Sequence, residues 1–506
     1  MAATREAAVT EAEVQRRPPE DRGWVAVVSR APFLTAALAC CALAALSAAV
    51  LPTVPSYDPW SWVVWGREVT DPHLSFTVAG GPSWKPLPWI FTTVFGLFGG
   101  AAPTLWVIAA RAGGTMALVA AFRLAARLVG GTRAGWWSVV AGLVAVAGVL
   151  LTQEWFYYMF RGTSEPMLVG CSLWAIDRHF AGRFRAAFVL GVAASLIRPE
   201  AWPFVLLYAA WLWRRDSGLW RGFIVAGLLA IPFFWFVPPW IGTGQPFIAA
   251  SHAKSYNGHL GSDRFLEVLR RGADLQVLPS LVLGALAVLL AWRRGRDRLV
   301  LWLAAGILAW WVLVVAMTLD GYPGLERFYL PAAAVTCVLS GAGIVWLAEA
   351  AGARARRLRD ARVPAIGWIA AAVLVAVSVP FTISRLDDAR AAKPIADRAV
   401  TRLNQLTAAV AAVGGHDGVY PCRSSFAAVN HGVQTALAWK LHVTLERVGT
   451  SMRHPGVLFV GPHDTIDGGS APIDPRLNRK QFLGTVGVWQ MYRVWEAGHS
   501  TACVGR

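Results

Sequence analysis

Five residues scattered over the first two thirds of the chain carry side chains suited to chemistry on a phosphate and a hydroxyl: Asp58, Lys85, Arg198, Glu200 and Arg327. Asp58, in Ser56-Tyr57-Asp58-Pro59-Trp60, can take a proton from a hydroxyl. An Asp in that place equally suits the cap of a following helix. Lys85 stands alone in Trp84-Lys85-Pro86-Leu87-Pro88-Trp89. A cation held that rigidly suits a phosphate, and snorkelling to lipid headgroups is the other reading. Arg198 and Glu200 meet at a break between two apolar segments, Ile197-Arg198-Pro199-Glu200. Arg327 lies in Glu326-Arg327-Phe328-Tyr329-Leu330-Pro331. Arg161 and Glu165, in Phe160-Arg161-Gly162-Thr163-Ser164-Glu165, are a further pair, for which a structural role is the favoured expectation.

The composition says where these residues must work. Of 506 residues, 56% are hydrophobic and 15% charged. Soluble domains carry about 25% charged residues. With a mean hydropathy of +0.47, this excludes an ordinary soluble enzyme and a disordered chain, and leaves a polytopic membrane protein.

A spanning helix needs about 20 apolar residues. Eleven candidate spans follow: 31–54, 103–128, 135–151, 164–176, 186–197, 202–213, 222–240, 276–292, 299–318, 328–347 and 363–383. The polar segment 1–30 is read as a cytoplasmic tail. Alternate loops then carry the Arg clusters: Arg123/Arg127/Arg133, Arg178/Arg183/Arg185, Arg214/Arg215/Arg221, Arg293–Arg298 and Arg354–Arg362. This is the positive-inside pattern, and it accounts for most of the net charge of +17 without nucleic acid. The opposite loops, beginning with the first outer loop at 55–102, hold the carboxylates and many of the Trp residues. Trp62, Trp65 and Val69 share one helical face, so 60–69 is expected to lie flat on the membrane.

After residue 383 the composition turns polar, and 384–506 is expected to be an extracytoplasmic α/β domain. A helical pattern runs through 387–414, and strands are expected at 418–421, 456–460 and 486–494. An oxidising outer compartment makes a Cys422–Cys503 disulfide plausible.

The order of these motifs resembles the GT-C superfamily of membrane glycosyltransferases, in the branch related to protein mannosyltransferases and aminoarabinose transferases. In that branch an acidic residue lies in the first outer loop and a Lys-Pro-Pro-Leu-type element precedes the next helix. Here Asp58 and the permuted Lys85-Pro86-Leu87-Pro88 stand in those places. Glu68 follows Arg67 as a pair usual there, and 98–111 and 326–331 resemble further elements of the family. The likeness covers about 31–331. It implies a polytopic α-helical membrane protein of GT-C-like fold with about 11 transmembrane helices, carrying the C-terminal α/β domain outside. It also implies transfer of a sugar from a polyprenyl-phosphate donor to a cell-envelope glycan, lipid or protein. By the same resemblance, the catalytic residues are Asp58, as general base, and Glu68. Lys85, Arg198 and Arg327 bind the donor phosphate, while Tyr57, Trp84, Arg161, Glu200 and Glu326 bind substrate.

No metal is required on this reading, because Asp58 is followed by Pro59 and Trp60 rather than by a second acid. No cofactor is expected, the lipid-linked sugar being a substrate. Two other classes compete. A transporter or flippase of lipid-linked sugars also uses broken helices and intramembrane charges, but the charges here gather on one side. A non-catalytic envelope scaffold would leave Asp58, Lys85 and Arg198 without a shared purpose.

Overall fold

The computed structural model describes residues 32–498, apart from 83, 131–134, 256–259, 262, 294–297, 358–362 and 463–468. The tail expected at 1–30 and Cys503 lie outside the described residues.

All eleven apolar segments are helical. In chain order the helices are α1 (Pro32–Val50), α2 (Tyr57–Thr70), α3 (Pro86–Gly96), α4 (Ala102–Val129), α5 (Trp136–Leu150), α6 (Trp155–Arg161), α7 (Glu165–Phe180), α8 (Phe184–Ser195) and α9 (Trp202–Trp213). They continue as α10 (Leu219–Thr243), α11 (Ile248–Ser255), α12 (Arg264–Asp274), α13 (Leu278–Arg293), α14 (Arg298–Leu319), α15 (Leu330–Arg357), α16 (Val363–Ala412), α17 (Gly415–Val419) and α18 (Gln434–Leu441).

Eleven helices are not eleven independent spans. Among the described residues five helices are long and apolar enough to cross a membrane, or up to seven if two bent pairs each count as one span. Those pairs are α5 with α6, bent by 71°, and α12 with α13, bent by 93°. Helices α8 and α9 have 12 residues each, about 18 Å at 1.5 Å per residue, and cover only part of the hydrocarbon thickness.

Helix α15 is the hub of the apolar bundle. Small residues let its neighbours approach closely, as in other membrane helix packings. A Cβ on Gly341 would meet the Ala141 carbonyl oxygen at 2.2 Å, and one on Gly343 the Leu283 oxygen at 2.2 Å. These contacts fix α15 against α5 and α13.

Helix α2 does not lie flat on a surface. Every residue from Pro59 to Glu68 is buried. The helix is wedged between α3 and the C-terminal region, and a Cβ on Gly66 would strike the Thr92 carbonyl carbon at 2.4 Å. Its tryptophans therefore form a core: Trp62 meets Trp106 edge-on at 5.3 Å, and Trp65 meets Trp84 at 5.5 Å. Packing inside the protein outcompetes the interfacial position that amphipathic spacing alone suggests.

The boundary expected at 383/384 falls inside α16. This helix runs unbroken for 50 residues, about 75 Å, from the apolar segment into the C-terminal region. Beyond it lies a five-stranded sheet in the order β2-β1-β3-β5-β4. The strands are β1 (Phe426–Ala428), β2 (Val448–Gly449), β3 (Gly456–Val460), β4 (Arg479–Val486) and β5 (Trp489–Trp495). Strand β1 pairs in parallel with β2 and β3, while β5 is antiparallel to β3 and β4. The strand expected at 418–421 is absent, because Gly414 (φ +95°) turns the chain into the short α17. Strand β4 shows no clean alternation of buried and exposed residues, so its sequence did not announce it. Cys422 is disulfide-bonded.

Candidate functional site

The site grows from one turn. Helix α6 ends at Arg161, Gly162 takes a left-handed conformation (φ +64°), and α7 starts at Glu165 with Ser164 before it. Trp106 Nε1 donates to the Gly162 carbonyl at 2.7 Å and locks the turn. The Glu165 carboxylate thus sits in the first turn of a helix, where the aligned peptide dipoles favour negative charge. Its side chain is fully buried.

Three cations from distant parts of the chain converge on that carboxylate. Lys85, preceding α3, lies 3.0 Å from Glu165 Oε1 through Nζ and donates to Ser164 Oγ at 2.8 Å. Arg198 Nη1 and Arg327 Nε each lie 3.8 Å from the same oxygen. Pro86 and Pro88 stiffen the segment after Lys85, and Leu87 N donates to the Leu196 carbonyl at 2.9 Å, tying it to the break between α8 and α9. That break is a short 3₁₀ turn, Pro199–Ala201. It turns Glu200 back on Arg198, whose Nε lies 3.1 Å from both carboxylate oxygens. Phe328 stacks on the Arg198 guanidinium at 3.8 Å.

Arg327 bridges this buried group to Asp58. Its Nη2 lies 3.3 Å from Asp58 Oδ2, and its Nε has no hydrogen-bond partner. Asp58 is in the first turn of α2 but is not its cap; Ser56 holds the cap position. The exposures divide the cluster in two. The side chains of Lys85 and Arg198 are 9% and 8% exposed, whereas those of Arg327 and Asp58 are 27% and 19% exposed. The first two cations are inner supports, and the Asp58–Arg327 pair is partly exposed.

The C-terminal region completes the wall beside Asp58. Tyr57 donates to Gln434 Oε1 at 3.1 Å, Thr435 Oγ1 donates to the Tyr57 carbonyl at 3.0 Å, and the Tyr57 ring packs on His431 at 4.3 Å. Burial lowers the pKa of His431, and the charge of Asp58 opposes that shift. Arg67 pins the same region by donating to the carbonyls of Trp439, Ala438 and Val443 at 3.0, 3.3 and 2.9 Å.

The structure therefore brings Asp58, Lys85, Arg198, Glu200, Arg327 and Tyr57 together. It leaves others apart. Glu68 is ten residues along α2 from Asp58, about 15 Å by helical rise, and accepts from Thr77 N at 3.1 Å. Trp84 is enclosed by Trp65 and Trp89 and donates to the Phe234 carbonyl at 3.0 Å. Glu326 turns to Arg271 at 3.6 Å, away from Glu165. Arg161 lines a separate cavity at the seam with the C-terminal region. Arg111 clamps the end of α1 by donating to the Pro52 carbonyl at 2.6 Å. Sequence reasoning missed the centrality of Glu165 and the presence of His431 and Gln434. The Ser164-Glu165-Pro166 helix start was the one available signal for the first.

Among the described residues no group of three or more His, Cys, Asp or Glu is placed to hold a metal ion. No protein-family model and no curated protein matches the chain. Among solved structures it is similar to ArnT from Cupriavidus metallidurans bound to undecaprenyl phosphate, with 15% identity and a TM-score of 0.52, covering 94% of this chain and 100% of that one. It is similarly related to ArnT from the same organism in the apo state, with 15% identity, a TM-score of 0.52, and 92% and 98% of the two chains covered. Over nearly its whole length, the chain thus shares the fold of these two ArnT structures.

Proposed function

We propose that the protein is an integral-membrane glycosyltransferase that moves a sugar from a polyprenyl-phosphate donor to a cell-envelope acceptor on the outer face. The observation that carries this reading is the convergence of Lys85, Arg198 and Arg327 on Glu165, with Asp58 held by Arg327 at the open edge. Two facts support it: the apolar helices suit a lipid-linked donor, and the similarly folded ArnT was solved with undecaprenyl phosphate bound. The Arg distribution supports an outward orientation of the Asp58–Arg327 edge.

Asp58 Oδ takes the proton of an acceptor hydroxyl. That oxygen attacks the anomeric carbon of the donor sugar. The bond from that carbon to the phosphate oxygen breaks, and its electron pair stays on the phosphate. Arg327 meets the new charge directly. Lys85 and Arg198 supply positive potential from behind in a site poor in water, where preorganised charges act strongly. Glu165 keeps three like charges together, since without it they would repel. The cations then take the place of a metal at the leaving group. Tyr57, His431 and Gln434 form the acceptor side of Asp58.

The test is mass spectrometry of candidate acceptors after incubation with purified protein and a panel of polyprenyl-phosphate sugars. A mass gain of one glycosyl unit, dependent on the donor, is expected. No transfer from any donor, with the donors shown to bind, would overturn the enzyme reading.

A further inference from the structure

The arginine-bearing ends of the helices are not all alike. Arg123, Arg127 and Arg178 gather around Asp177, whose side chain is fully buried. Arg123 Nε and Arg127 Nη1 lie 3.6 and 3.5 Å from its Oδ1, and Arg178 pairs with Oδ2. The arginines where α8 begins, α9 ends and α10 begins turn outward instead. Arg183, Arg185, Arg214, Arg215 and Arg221 are all exposed, and Asp216 is the only acid in the two turns 181–185 and 214–221. Arg185 takes that acid, with Nε and Nη2 at 3.4 and 3.2 Å from its carboxylate. Arg221 Nε donates to the Asp216 carbonyl at 3.0 Å. Among the described residues, Arg214, Arg215 and Arg221 form no ion pair.

Aromatic rings hold these guanidinium groups in place. Arg185 lies over Trp220 at 3.5 Å, Arg215 over Trp211 at 4.6 Å and Phe184 at 5.2 Å, and Arg221 over Trp213 at 5.0 Å. A guanidinium stacked on its flat face keeps its edge N–H groups for an oxyanion. Apolar surface adjoins the cations: Leu219 is 93% exposed, and Trp213, Trp220 and Phe223 are also open. A free phosphate would meet the cations and leave that apolar surface in water. A phospholipid meets both, its phosphate against the guanidinium groups and its acyl chains against Leu219 and Trp220. On the Arg distribution these helix ends face the cytoplasm, where the leaflet is rich in anionic lipid.

We propose that the ends of α8, α9 and α10 bind the headgroup phosphate of an anionic phospholipid of the cytoplasmic leaflet, through Arg214, Arg215 and Arg221. Such an anchor sets the depth of the Arg198–Glu200 break, which the short helices α8 and α9 carry at their other ends. The proposal needs the membrane placement of these helices and not the sugar-transfer reading.

The test is native mass spectrometry of the full chain in detergent, titrated with phosphatidylglycerol or with phosphatidylcholine. One adduct is expected that forms at least about tenfold more tightly with phosphatidylglycerol. Arg215→Gln and Arg221→Gln should each weaken it by about ten- to a hundredfold, the loss of one charge-assisted hydrogen bond. Arg293→Gln, an exposed arginine at the end of α13, should leave it unchanged. Melting temperatures equal to that of the wild type in phosphatidylcholine show that the variants fold. No preference for phosphatidylglycerol, or an adduct that survives both substitutions, would overturn the proposal. An equal loss in Arg293→Gln would do the same, since it would show diffuse attraction to any inner arginine. So would an adduct lost in Arg327→Ala but kept in Arg215→Gln, which would put the lipid in the Glu165 cluster.

Discussion

Arg327 Nη2 stands 3.3 Å from Asp58 Oδ2, while Nε of the same guanidinium lies 3.8 Å from Glu165. One side chain thus spans a fully buried carboxylate and a partly exposed one. The arrangement gives Asp58 a fixed position without burying it, and leaves Arg327 a face for a further anion. On the proposed mechanism, the group that receives the proton and the group that receives the leaving phosphate are neighbours before any substrate arrives.

Asp58→Asn tests the first of these roles. The amide keeps the shape and can still contact its surroundings, but it cannot accept the acceptor's proton. Removing a general base typically costs 10²–10⁴-fold in rate. Turnover of labelled donor should fall by about that factor with thermal stability close to that of the wild type. Activity within about threefold of wild type would reduce Asp58 to a holder of Arg327.

Glu165→Gln tests the hub. It leaves Lys85, Arg198 and Arg327 mutually repelling around a neutral amide. Removing one partner of a buried ion pair costs about 3–5 kcal/mol. The variant should melt well below the wild type in detergent, and polyprenyl phosphate should raise its melting temperature more than it raises that of the wild type, since the added anion restores charge balance. An unchanged melting temperature would show that the three cations are balanced without Glu165.

Glu68 carries a pH signature that belongs to folding rather than to catalysis. Burial pushes its pKa up to about 7, against the opposing effect of hydrogen bonds to its carboxylate. The unfolded chain releases the same proton near the ordinary carboxylate value of about 4.3. Between those values the folded protein binds more protons, so stability declines as pH rises from about 4.3 through about 7. The stability lost over that range is up to about 4 kcal/mol. Thermal unfolding of wild type and Glu68→Gln at pH 5 and pH 8 should show a loss in the wild type that the variant lacks. Parallel pH profiles would refute the assignment.

The residues legible in the sequence were those whose chemistry conflicts with an apolar surrounding. Asp58, Lys85, Arg198 and Arg327 stood out because a charge beside apolar runs needs a partner, and all four meet in the structure. Helix positions were legible for the same reason, since apolar length is a strong signal. Glu165 was not, because its role depends on a left-handed Gly162 and on three segments that arrive from elsewhere in the chain. The resemblance alone named Glu68 as catalytic, and helical rise sets it about 15 Å from Asp58. The wall supplied by His431 and Gln434 could not be read at all, since it requires the docking of a region almost four hundred residues away. The unbroken α16 was hidden by a change of composition that alters solvent exposure but not helicity.

The central claim is that Arg327, backed by the buried charges of Lys85 and Arg198, binds a polyprenyl-phosphate donor beside a base that does not bind it. Titration of a short-chain polyprenyl phosphate into detergent-solubilised wild type, Arg327→Ala and Asp58→Asn tests this most directly. Saturable binding to the wild type is expected, with affinity lower by about ten- to a hundredfold in Arg327→Ala. In Asp58→Asn the affinity should be equal or higher, because that change frees the guanidinium. Equal binding by wild type and Arg327→Ala, or loss of binding in Asp58→Asn, would contradict it.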